Sequence, residues 1–148
     1  MLLPTLKTLF HRELEKLKKE IESYQDEDKL WLVEKGINNS AGNLCLHLIG
    51  NLNTYLGKEL GGTDYIRNRE LEFSQKNIPR SELLMMLDAT ILVVNDTLDQ
   101  LTPEQLDKDY PARVFDYNMT TGFFLVHLLG HLTYHLGQIN YHRRLLDA

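Results

Sequence analysis

Apolar residues recur at alternating steps of three and four in four long segments, and a chain with that rhythm has to bury helical stripes against one another. The plainest stripe is Leu84, Leu87, Ile91, Val94, Leu98 and Leu101. Leu3, Leu6, Phe10, Leu14, Leu17, Ile21 and Tyr24 keep the same spacing, and Pro4 is tolerated in a first turn, so a first helix is expected over residues 4–24. Ser40 reads as the N-cap of a second helix over residues 41–60, which Gly61-Gly62 stops. Pro79 and Ser81 precede the third helix. The fourth starts at Thr120 or Thr121 and reaches about Leu146, with Leu125, Leu128, Leu132, Leu136 and Ile139 on one side. Residues 1–148 therefore predict one all-α domain, a four-helix bundle.

Two connections, residues 25–39 and 61–78, are longer than a minimal bundle needs and are places where function can be carried. Thr102-Pro103-Glu104-Gln105 has the form of a capping box opening one short extra turn. Residues 110–119 read as a short irregular or hairpin-like crossing before the last helix. Gly130 and Gly137 lie inside that helix, which suggests close backbone packing or access to a site.

Composition narrows the partners. Lys, Asp, Asn or His interrupts every apolar run before the roughly 20 residues that a membrane span requires. The first residues lack the pattern of an export signal, so a cytoplasmic location is expected, and the lone Cys45 agrees with a reducing compartment. A formal charge of −5, with basic residues scattered among acidic ones as in residues 13–22, argues against duplex nucleic acid.

Of six histidines, four fall at His127, His131, His135 and His142. Residues four apart on a helix sit about 6 Å apart along its axis, so one such pair can chelate an ion, whereas His127 and His135, about 12 Å apart, cannot share one. On a helical wheel His135 lies roughly 70° from the centre of the apolar stripe, His131 roughly 110° and His127 roughly 150°. His131 and His135 are the expected pair, with Gln138 one turn on to orient His135. A third ligand has to come from another helix. His47 occupies a comparable flank position, and in an up-down-up-down bundle the second and fourth helices run the same way, which sets His47 and His131 at matching levels. Asn43 and Asn51, each four residues from His47, are expected to orient its ring or to bind a substrate. Cys45 points away from His47 and reads as core. His11 and His142 read as surface or helix-end residues.

With a long first helix, Trp31 in the following connection, Ser40 opening the helix of His47, and the string His131-Leu-Thr-Tyr-His135-Leu-Gly137-Gln138, the chain resembles the DinB-like (YfiT-like) superfamily of metalloenzymes. Residues 61–70 resemble a poorly characterised subgroup of it. The resemblance implies a four-helix bundle, a three-histidine metal site that falls on His47, His131 and His135, a water-occupied coordination position, and a homodimer. Characterised relatives include transferases and isomerases that depend on low-molecular-weight thiols, and others described as hydrolases.

The expected function is that of a metal-dependent enzyme holding one divalent ion per chain, zinc or nickel, and acting on a small molecule by thiol transfer. Arg67 or Arg69 is a candidate for binding a substrate carboxylate. Two alternatives stand beside this reading. Hydrolysis by metal-bound hydroxide lacks an obvious Glu base next to the ligands, and H-E-x-x-H is absent. A non-catalytic protein would use the metal only to tie two helices together, or would use an apolar face to dimerise.

Overall fold

The apolar stripes close on one another as four long helices. The computed structural model describes residues 1–148, and its elements are α1 (Leu2–Ser23), α2 (Ala41–Leu52), α3 (Arg69–Ser74), α4 (Arg80–Gln100), α5 (Pro103–Leu106) and α6 (Thr121–Leu146). A 3-10 helix (Glu27–Trp31) follows α1, and α2 continues into a π-helical turn (Asn53–Lys58). The four-helix bundle is made of α1, α2, α4 and α6. Within the bundle α1 and α2 each pack on α4 and α6 and barely touch one another, which sets α1 diagonally across from α2, and α3 covers the outer side of α2. Between them lies one continuous apolar core, with Phe10, Leu14 and Leu17 from α1, Leu48 and Leu52 from α2, Leu83, Leu87 and Val94 from α4, and Leu125, Leu132 and Ile139 from α6. No helix is long and apolar enough to cross a membrane.

Pairings along the helices fix their directions. Lys7 meets Asp99 at 3.5 Å and Lys18 meets Asp88 at 2.9 Å, so α1 and α4 are antiparallel. Leu2 lies against Gly122 while Glu20 meets Arg143 at 2.7 Å, so α1 and α6 are parallel. Asn53 bonds Thr90 and Gly61 sits on Thr97, so α2 with its π-helical extension runs parallel to α4. The rings of Tyr55 and Phe124 are in edge contact at 5.2 Å while His47 faces His131 and His135, so α2 and α6 are antiparallel. The order is up-down-down-up. The expectation that the second and last long helices run the same way is corrected by these contacts. His47 meets His131 and His135 because the two helices cross levels there in opposite directions.

This topology explains the long second connection. Neighbouring parallel helices require the chain to travel back along the bundle, and residues 61–79 make that return, turning once through α3. Ser40 caps α2 as expected, accepting from Asn43 N at 3.2 Å. Thr102 and Gln105 form the capping box of α5. Residues 110–119 make a hairpin-like crossing closed at its base, where Tyr110 N donates to Met119 O and Thr121 N donates to Lys108 O. The third stripe differs slightly from expectation: Leu83 is fully buried and Leu84 only partly, because the face toward α1 and α2 is centred one residue earlier.

Candidate metal centre

Two helices supply three imidazoles to one point. His47 sits in the second turn of α2, and His131 and His135 occupy successive turns of α6. Nε2 of His131 lies 3.1 Å from Nε2 of His47 and 3.1 Å from Nε2 of His135, and one ligand nitrogen from each of the three residues falls within 4.8 Å of the others. Nitrogens at about 2.0–2.1 Å from a tetrahedral ion are themselves about 3.3 Å apart, so the spacing fits a divalent metal. His127 is outside the trio. Its exposed ring stacks on Phe124 at 5.7 Å and meets the edge of Phe115 at 5.1 Å.

The opposite ring nitrogens decide whether lone pairs face inward. Nδ1 of His47 donates to Glu72 Oε1 at 3.0 Å, and because a carboxylate only accepts, the proton is held on Nδ1 and the Nε2 lone pair points into the trio. His135 has the same arrangement with a neutral acceptor, Nδ1 donating to Gln138 Oε1 at 2.7 Å. Nδ1 of His131 is buried without a protein partner. Burial, reinforced by the neighbouring His135 and His47, pushes the pKa of His131 down to about 4, and burial also lowers that of His47 against the opposing pull of Glu72. Neutral imidazoles are the metal-binding form. The donor set, its spacing and its tautomers all fit an ion held by His47, His131 and His135.

Glu72 is the functional residue that sequence reasoning missed. It lies 25 positions from His47, in the returning connection, and is buried. Arg67 clamps its carboxylate with Nε at 2.8 Å and Nη2 at 3.0 Å, and this pairing offsets the cost of burying the charge. Gly50 makes room for it: a Cβ there would sit inside the Glu72 carboxylate. Glycine in mid-helix one turn from His47 was the one available signal, since it costs helix stability without serving a turn.

Asn43, expected to orient the His47 ring or to bind a substrate, instead has its side-chain amide taken up by other protein groups. Its Oδ1 accepts from Ser40 Oγ and from Lys76 Nζ, and its Nδ2 donates to the carbonyls of Glu72 and Gln75 at 2.9 and 2.8 Å. The start of α2 thus grips the end of α3 and holds Glu72 in register. Asn51 is buried, with its Oδ1 unpaired by protein. Phe73 packs at 4.9 Å on the His47 ring, and Arg69 lies over Phe73 at 5.6 Å.

Other sequence expectations resolve plainly. Cys45 is wholly buried, and burial pushes its thiol up to about 12, which makes it core. His11 is exposed. His142, expected at the surface or a helix end, is buried. Its Nδ1 accepts from Tyr24 Oη at 2.6 Å and its Nε2 donates to Leu32 O at 2.9 Å. That expectation treats α6 alone, whereas the connection after α1 folds over the end of that helix. A Cβ at Gly130 or Gly137 would meet nothing, so neither marks close backbone packing.

A family model described as a protein of unknown function, DUF1572, matches residues 2–148. No curated protein and no solved structure matches the chain.

Proposed function

The chain belongs to the DUF1572 family, and from that premise we propose that it is a metal-dependent enzyme of the DinB-like (YfiT-like) kind, a thiol-dependent transferase. The observation that carries this reading is the convergence of three imidazole Nε2 atoms from α2 and α6. Three neutral donors leave a divalent ion its full charge, and zinc or nickel suits imidazole. Such an ion, when bound, acidifies a coordinated water or thiol. Structural zinc sites are usually closed by four protein ligands, and the group here has three members, which favours an open position over a purely structural tie.

The protein's own groups fix the donors. Glu72 and Gln138 keep the protons of His47 and His135 on Nδ1. Both Glu72 oxygens are engaged, one by His47 and Arg67 and the other by Arg67. Glu72 is therefore not a free general base, and this supports transfer of a small thiol to an electrophile over hydrolysis. Arg67, committed to Glu72, is a positioning residue in this reading and not a carboxylate receptor. A homodimer agrees with the same proposal, since Phe123, Val126 and Tyr134 leave apolar surface on the outside of α6.

Elemental analysis of protein purified without a histidine tag tests the centre. The expected result is about one zinc or nickel per chain, lost by more than about ten-fold in His131→Ala and retained in His127→Ala. Equal losses in the two variants would refute the trio. The reaction class is tested by screening small thiols against electrophilic substrates. Turnover that persists after chelation, or none with any thiol, counts against it.

A further inference from the structure

Beside His135 a groove of about 360 Å³ opens between α6, the start of α2 and the loop at residues 36–39. That volume lies in the range of small-molecule sites. None of its lining residues carries a carboxylate, an ammonium or a guanidinium. Amides supply the polarity instead: Asn38 and Asn39 come from the loop and Gln138 from α6, with the Tyr141 hydroxyl at the rim. Gln138 spends its carbonyl on His135, which leaves its amide nitrogen free to donate. Leu44, Ile37 and Leu145 supply the aliphatic part of the lining.

Of the charges near the groove, Glu34 and Lys35 precede the loop and lie outside the lining, and two others on α6 and beyond it are paired within the protein. Arg143 pairs with Glu20 at 2.7 Å, and the Asp147 carboxylate accepts from the backbone of Gln25 and Asp26. Arg144 lies over the Tyr141 ring at 5.0 Å and is not part of the lining. His142, also in the wall, has both ring nitrogens engaged and offers the groove no ionic partner. Arg67 and Glu72 lie on the other flank of the trio, against His47.

A charged ligand group leaving water needs a partner of opposite sign, and a neutral amide or hydroxyl needs only hydrogen bonds. We infer that this groove is the substrate subsite of the histidine centre and takes the uncharged portion of a small molecule, a portion bearing amide and hydroxyl groups. The role as a substrate subsite rests on the metal-enzyme reading through His135, which belongs to both the groove and the trio; the class of ligand rests on the lining alone.

The test is a side-chain amide titration of the full chain, followed by ¹H–¹⁵N NMR, with three short hydroxyl compounds: N-acetylethanolamine (neutral), glycolate (anionic) and ethanolamine (cationic). The signals of Asn38, Asn39 and Gln138 should shift saturably with N-acetylethanolamine, at concentrations at least about ten-fold below those needed for the other two. Asn39→Asp should move the preference toward ethanolamine. Equal midpoints for the three compounds, or shifts confined to other residues, overturn the inference. Cobalt uptake by the same sample separates the two readings. Uptake without groove shifts overturns the subsite and keeps the metal centre. Groove shifts without uptake overturn the metal centre and support the class of ligand.

Discussion

His142 shares α6 with His131 and His135 but has a different fate, because Tyr24 and Leu32 saturate both of its ring nitrogens. His142→Ala leaves a buried hydroxyl and a carbonyl unpaired, so it should destabilise the fold by about 1–3 kcal/mol in urea unfolding without altering zinc binding. Burial holds the pKa of His142 below the 6.5 of a free imidazole. Below pH 6.5 the unfolded chain therefore binds a proton that the folded chain does not, and the fold loses stability as pH falls, levelling off below the folded pKa. Urea midpoints of metal-free wild type and His142→Ala, measured downward from pH 7, should converge; parallel curves would contradict this. At Gly50 the constraint is steric. Gly50→Ala should expel the Glu72 carboxylate and weaken zinc binding by about 10–100-fold in chelator competition, as Glu72→Ala should, while Glu72→Gln, which still accepts from His47, should lose less. Unchanged affinity in Gly50→Ala would show that Glu72 does not support His47.

Within α6 two glycines have free space around them, and the effect of alanine there has the opposite sign. Gly130 and Gly137 have nothing within 4 Å of an added Cβ, so alanine at either should stabilise the helix by up to about 1 kcal/mol, read as a higher urea midpoint. A loss at either position would mean that the outside of α6 is covered by another molecule. Much at this scale was legible in the sequence, because period and capping are local: the four stripes, the Ser40 cap, the Thr102 box, and the more outward turn of His127 than of the flanking His131 all follow from residues within a few turns. The direction of α2 relative to α6 was not legible, since it depends on where the return connection lands. Glu72 was hidden for a related reason. No spacing rule links it to His47, and α3 is a single short helix held by Asn43 from outside its own sequence. The π-helical turn after Leu52 gave no pattern to read, because one wide turn changes the phase without changing the composition.

For the molecule as a whole, the up-down-down-up order makes the return connection both a topological necessity and a support of the histidine centre. An ion bound by His47, His131 and His135 would tie α2 to α6, and through the His47–Glu72 bond it would also hold the segment that joins α2 to α4. Binding to the folded chain alone stabilises it by mass action, by about 2.7 kcal/mol when free zinc is a hundred times its Kd. That increment should vanish in His47→Ala, whose metal-free stability is the proper baseline for the comparison. The connection gives a second readout. The carbonyls of Glu72 and Gln75 are held by Asn43 whether or not metal is bound, but the carboxylate of Glu72 is held in part by the orientation of the His47 ring. Zinc should therefore slow amide exchange across residues 69–75 as well as in α2 and α6 of the wild type. In Glu72→Ala, zinc at saturating concentration should still protect α2 and α6 while leaving residues 69–75 unchanged. Protection confined to the two helices in the wild type would mean that the connection only closes the topology, and that the carboxylate behind His47 carries no part of the coupling.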